Sequence, residues 1–297
     1  NCTEGWAACR EQARAACGEE KLLAGFMGTG IFEQCHFLMG FENTLTALYE
    51  HPDEMHELIE TITQYRLDYV RRLIDGLQPD VIFSHDDWGT KNALFMKPEM
   101  WREFFKEPYR RFYGYIRSRG VIAIHHADSY LVPIVDDMAE IGIQVWQGTL
   151  PENDIPALQR HLSGKLTLMG GFGAAIDRAD AQPDEILAYA RDALARCCPG
   201  GHFIPSITYG LAGTVFPHVD QYLDQAVNEY NAGLHIPVTP LPAVPKRKIS
   251  EAKAETVQAA ASAQESADVF ENIARALERG QQKKLLALVD KALSRGI

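Results

Sequence analysis

Apolar residues along this chain fall into two alternating patterns. Short, nearly solid apolar runs occupy 22–28 (LLAGFMG), 80–87 (DVIFSHDD), 121–128 (VIAIHHAD), 143–148 (IQVWQG), 166–172 (LTLMGGF) and 202–208 (HFIPSIT). Runs this short and this apolar predict strands buried on both faces of a parallel sheet. Between them the apolar positions spread to helical spacing. In 52–77, Met55, Leu58, Ile59, Ile62, Leu67, Val70 and Leu73 recur every three to five residues, as one face of an amphipathic helix requires. The stretch 98–120 opens on Pro98 and closes on Gly120, the usual helix asymmetry.

Strands separated by helices fit either a doubly wound sheet or a (β/α) barrel. The polar residues discriminate between the two. Strand after strand ends in a polar or glycine-rich tail: His85-Asp86-Asp87, His125-His126-Ala127-Asp128, Trp146-Gln147-Gly148, Gly170-Gly171-Phe172 and Thr208-Tyr209. A barrel gathers all its strand ends around one mouth, whereas an open sheet uses a single switch point. The expected fold is therefore an α/β (β/α)8 TIM barrel. Only six strands are found, and the chain opens inside a helix-like stretch (WAACREQARAAC), so one or two N-terminal βα units are expected to be missing. The barrel is assigned to residues 1–233. Residues 234–267, rich in Pro, Ala, Ser and charge, form an expected linker. Residues 268–297 turn helical again, with Val269, Ile273, Ala276 and Leu277 on one face and Leu285, Leu286, Leu288, Val289 and Leu293 on another, divided by Gly280.

Composition narrows the function classes. The 297 residues are 46% hydrophobic, enough for a large core, and the formal net charge of -11 argues against nucleic acid as a partner. No run of eighteen apolar residues suggests a membrane span and no leader pattern opens the chain. Cys2, Cys9, Cys17, Cys35, Cys197 and Cys198 contain no CxxC spacing, so reduced thiols and a cytoplasmic location are expected.

His125, His126 and Asp128 are the leading candidates for chemistry. Period-two alternation puts His126 and Asp128 on one strand face and His125 on the other, unless the strand bends at its end. Imidazole and carboxylate suit a metal, with His125 and Asp128 as candidate ligands, and equally suit acid/base work. The plainer alternative is a polar strand end in which Asp128 or Ser129 caps the next helix. Asp86, Asp87 and Trp88 end another strand and are candidates for substrate binding. Glu33 and His36 follow the first strand, and Gln147 and Tyr209 end later ones; all four are placed at the same mouth. The stretch MGGFGA lacks the lysine of a phosphate loop, so a nucleotide is not expected.

Taken in order, five stretches resemble the uroporphyrinogen decarboxylase superfamily: GFMGTGIFEQCHFLMGFENTLTALYEHPDEMHELI, DDWGTKNALFMKPEMWREFFKEPYRRFYGYIRSRG, IHHADSYLVPIVDDMAEIGIQVWQG, LTLMGGFGA and GGHFIPSITYG. The resemblance spans about 22–230 and implies a (β/α)8 barrel with its site at the C-terminal mouth. His36 stands where the decarboxylases carry a tyrosine, and with the C-terminal segment this places the resemblance nearest the corrinoid-dependent methyltransferase branch. That branch implies zinc on a His-x-Cys pair plus a distant cysteine; here His125 matches the histidine, but Ala127 replaces the first cysteine and Thr208 and Tyr209 stand near the second. A harder donor set, His125, His126 and Asp128 with Glu33 or an Asp86 or Asp87 oxygen, is what remains for zinc or another metal. Residues 268–297 resemble the start of a corrinoid-protein helical cap. The resemblance thus implies methyl transfer between a small methylated substrate and a corrinoid (cobalamin) on a fused or partner domain. A porphyrinogen-type decarboxylase and a non-catalytic corrinoid-binding barrel are the alternatives.

Overall fold

Each expected apolar run forms a strand in the computed structural model, which describes residues 4–18, 21–208 and 215–234. All of these lie in the first of two units into which the chain divides, Asn1–Leu241. The expected linker and cap-like segment, from residue 235 onward, and Tyr209 lie outside the described residues. Helix α1 (Glu4–Cys17) leads into β1 (Ala24–Met27), followed by α2 (Ile31–Met39), α3 (Phe41–Glu50) and α4 (Pro52–Leu77). Strand β2 (Val81–His85) precedes α5 (Pro98–Trp101) and α6 (Glu107–Ser118); β3 (Ile122–His126) precedes α7 (Val135–Glu140). Then come β4 (Val145–Thr149), α8 (Ile155–Leu162), β5 (Thr167–Phe172), α9 (Pro183–Cys197), β6 (Phe203–Ile207) and α10 (Pro217–Gly233).

The sheet order is β1-β2-β3-β4-β5-β6, with every neighbouring pair parallel. Strictly sequential order without a reversal is barrel winding; a doubly wound sheet turns back at a switch point. The fold is therefore TIM-barrel-like, and the described residues supply six of its strands. One sheet face packs under helices, where Ile82, Ala123, Trp146 and Leu168 are fully buried. The other is the barrel-interior face, where Phe26 is 61% exposed. Among the described residues no helix is long and apolar enough to cross a membrane, and none of the described cysteines forms a disulfide.

The helix expected over 98–120 differs in one respect that matters for the site. Between α5 and α6, residues Arg102–Lys106 widen into a π-helical turn. Pro108 follows after Glu107; it has no N–H to donate and its ring clashes with the carbonyl four residues back, that of Phe104. The widened turn resets the phase of α6 so that Tyr109, Phe112, Tyr113 and Ile116 face the sheet, all buried. Burial of each such aromatic ring stabilises the fold by about 1.5–3 kcal/mol.

Candidate active site

Register, rather than sequence adjacency, builds the site. His85 pairs with His126 across β2 and β3, and His126 pairs with Gln147 across β3 and β4. The three side chains stand side by side on the barrel-interior face. The His85 and His126 rings stack at 4.6 Å with 16° between planes. Phe83, two residues before His85 on the same face, stacks on His126 at 6.0 Å. Two residues beyond each histidine the same alternation places Asp87 and Asp128, so the ends of β2 and β3 carry parallel His-x-Asp pairs.

Each ring is fixed by a partner at Nδ1. His85 Nδ1 lies 3.0 Å from Glu33 Oε2, which also accepts the Gly30 N–H at 3.3 Å. His126 Nδ1 is held by Gln147 Oε1. Asp87 Oδ1 accepts the Asp128 backbone N–H at 3.1 Å. One ring nitrogen from each histidine and an Asp87 oxygen lie within 4.8 Å of one another, the sole such metal-capable grouping among the described residues.

The electrostatics split the two histidines. Burial opposes charge on His85, but the Glu33 hydrogen bond and the charges of Asp87 and Asp86 outweigh it and raise its pKa. Burial lowers the pKa of His126, with His85 adding to the shift against the Gln147 hydrogen bond. Burial, with Asp128 adding its charge, pushes the Asp87 carboxyl up to about 6.

Four expected site residues occupy other roles. His125 is fully buried and turned toward the helices: its Nδ1 meets Tyr113 Oη at 2.6 Å and its ring stacks on Trp88 at 4.0 Å. Strand β3 does not bend enough to bring it round, so His125 and Asp128 are not presented to one ion. Asp86, also fully buried, caps α2. Its carboxylate accepts the N–H groups of Phe32 (3.0 Å) and Glu33 (2.8 Å), the Trp88 indole N–H (3.1 Å) and the Tyr109 hydroxyl. Tyr109 Oη in turn accepts the Ile31 N–H at 2.9 Å. Gly30 is required at this approach, because a Cβ there would sit on the Asp86 carboxylate. Trp88 is buried among Trp101, Tyr109 and His125. His36 lies in an aromatic cluster with Phe32, Phe37 and Phe41.

Asp86, Trp88 and His125 therefore support the site from behind. Glu33, Asp87, His126, Asp128 and Gln147 remain at the mouth, and His85 joins them. The signal for His85 was present: His85-x-Asp87 repeats the spacing of His126-x-Asp128 at the next strand end.

The family model described as uroporphyrinogen decarboxylase (URO-D) matches residues 6–230. The chain belongs to the URO-D family. A curated uroporphyrinogen decarboxylase from Ralstonia pickettii (strain 12J) is 25% identical over 232 residues, covering 71% of this chain and 59% of that URO-D protein. A solved methyltransferase from Methanosarcina mazei superposes with a TM-score of 0.62 at 19% identity, over 76% of this chain and 64% of that one. The chain thus spans about three fifths of the length of each of these proteins.

The zinc site implied by the methyltransferase branch does not fit these residues. His125 faces the helices and residue 127 is a buried alanine.

Proposed function

We infer that this URO-D barrel is the substrate-activating half of a corrinoid-dependent methyltransferase, acting on a small, uncharged or cationic methylated compound. The reading rests on one observation above all: Glu33, His85, Asp87, His126, Asp128 and Gln147 gather three carboxyls, two imidazoles and an amide at the described part of the mouth. Carboxyls at this rim favour a substrate that carries no negative charge beside them. A methylated amine or ether meets acceptors for its polar atom and the Phe83 ring for its methyl group. The fold shared with the Methanosarcina methyltransferase supports the same reading.

In this role Glu33 and Gln147 hold the two imidazoles at Nδ1, which leaves Nε2 of each ring to meet the heteroatom that carries the methyl. Asp87 and Asp128 attract positive charge to that heteroatom, and Phe83 excludes water from the methyl group. A corrinoid bound to a fused or partner domain would supply the cobalt that carries the methyl group; residues 268–297 resemble the start of the helical cap of such a domain.

The test uses the intact protein, reduced cobalamin and a panel of methylated amines, ethers and folates. Methylcobalamin formation with at least one member is the expected outcome. The decarboxylase reading is favoured by the name of the Ralstonia relative. Carbon dioxide release from a carboxylated substrate without cobalamin, together with no methyl transfer, would replace the proposal with it.

A further inference from the structure

The four backbone N–H groups that begin α2 lack intrahelical partners, as in every α-helix. All four are taken, three of them by side chains from elsewhere in the chain. The Gly30 N–H meets Glu33 Oε2 at 3.3 Å, and the Ile31 N–H meets Tyr109 Oη at 2.9 Å. Asp86 accepts the other two, from Phe32 at 3.0 Å and Glu33 at 2.8 Å. Just before this turn, the buried Arg66 of α4 donates from Nη1 to the Gly28 carbonyl at 2.7 Å. Between these anchors stands Thr29 at φ +31°, a backbone conformation that a β-branched residue keeps only when its surroundings impose it.

We propose that Tyr109, buried on the helix side of the sheet, is a positioning residue for His85. With Asp86 it fixes the β1–α2 turn, and the turn presents Glu33 to the His85 ring. The path of contact is short. Tyr109 Oη donates to Asp86 and accepts from Ile31, two residues before Glu33. Glu33 Oε2 lies 3.0 Å from His85 Nδ1. The same oxygen accepts the Gly30 N–H, so it faces His85 as an acceptor too, and the neutral ring carries its proton at Nδ1. The lone pair is thereby left on Nε2.

Loosening the turn frees Glu33 to rotate away, and the proton of His85 then distributes over both ring nitrogens. Losing a hydrogen bond to a charged group shifts such an equilibrium by about 10-fold or more. Tyr113, one helical turn further along α6, supplies the comparison. It is equally buried, but its hydroxyl meets His125 Nδ1 at 2.6 Å and not the turn. The tautomer stands on geometry alone. Its use, placing a lone pair toward the heteroatom that carries the methyl group, rests on the methyl-transfer reading.

The experiment labels histidine with 15N in the intact protein and reads the ring-nitrogen shifts of His85 at alkaline pH, assigned by their loss in His85→Gln. The wild type is expected to show the Nδ1–H tautomer. Tyr109→Phe keeps the ring and removes both hydroxyl bonds; its preference for that tautomer should weaken by about 10-fold or more. Tyr113→Phe should keep the wild-type pattern. In a Glu33→Ala background, Tyr109→Phe should change the shifts no further, because the contact it positions is already gone. Where a methyl donor is accepted, Tyr109→Phe should lower kcat by about 10-fold and change KM by less than about 3-fold. Circular dichroism establishes that each variant is folded, and Asp86→Asn carries the test if Tyr109→Phe is not. The proposal is overturned by a wild-type tautomer pattern in the folded Tyr109→Phe or Asp86→Asn variant, or by an equal disturbance in Tyr113→Phe. The shifts are read without substrate, so a protein that transfers no methyl group removes the methyl-transfer reading and leaves this one to be decided by the tautomers.

Discussion

Asp86 and Asp87 are sequence neighbours with opposite tasks, decided by which way each points. Asp86→Ala strips the acceptor from two backbone N–H groups, an indole and a tyrosine hydroxyl in a fully buried place. The expected loss is about 3 kcal/mol or more in urea unfolding. Asp87→Ala removes a single hydrogen bond at the mouth and is expected to cost about 1 kcal/mol. Equal losses would refute the division of roles. His125 makes a separate, pH-dependent prediction. Burial holds its pKa well below 6.5, while in the unfolded chain it titrates near its ordinary value. Stability is therefore complete above about pH 6.5 and is lost as the pH falls below it, because the unfolded chain then binds a proton that the folded one refuses. The slope from this group is at most about 1.4 kcal/mol per pH unit. Stability measured between pH 7 and 5 should decline less steeply in His125→Gln than in the wild type. Cys35, fully buried, has its thiol pushed up to about 12 by burial, with the Asp86 charge adding to it. It should resist alkylation at pH 8 in the native protein while exposed Cys9 reacts.

At the scale of elements, the site depends on how β3 and β4 meet. Gly148 has φ +98°, and a Cβ there would come within 2.6 Å of the Ala127 carbonyl oxygen and 3.0 Å of the Asp128 nitrogen. Gly148→Ala should cost about 1–3 kcal/mol through backbone strain and push the strand ends apart, loosening the His126–Gln147 bond. A thermal melt of the variant against the wild type checks the loss. The strands themselves were legible: solid apolar runs need no tertiary information, and 121–128 contains Ile122–His126 as 80–87 contains Val81–His85. Period two also separated His125 from His126. Which of them faced the mouth was not legible, because that is settled by α6, whose phase follows from the π turn before Pro108. The Asp86 cap was hidden for a similar reason. It joins residues more than fifty positions apart, through a loop whose close approach only Gly30 allows.

Across the whole molecule, sequential parallel winding brings the polar ends of β2, β3 and β4 to one rim, where three carboxyls, two imidazoles and an amide face inward over Phe83. The opposite face buries His125, Trp88, Tyr109 and Tyr113 as a rigid backing. In the proposed methyl transfer, His126 and its neighbours at this rim meet the heteroatom that carries the methyl group. The most direct test is the rate at which the intact protein converts reduced cobalamin to methylcobalamin with an accepted methyl donor, compared between wild type and a folded His126→Ala variant. The account predicts a loss of ~100-fold or more, near 2.7 kcal/mol in transition-state stabilisation. An unchanged rate in that variant would contradict it.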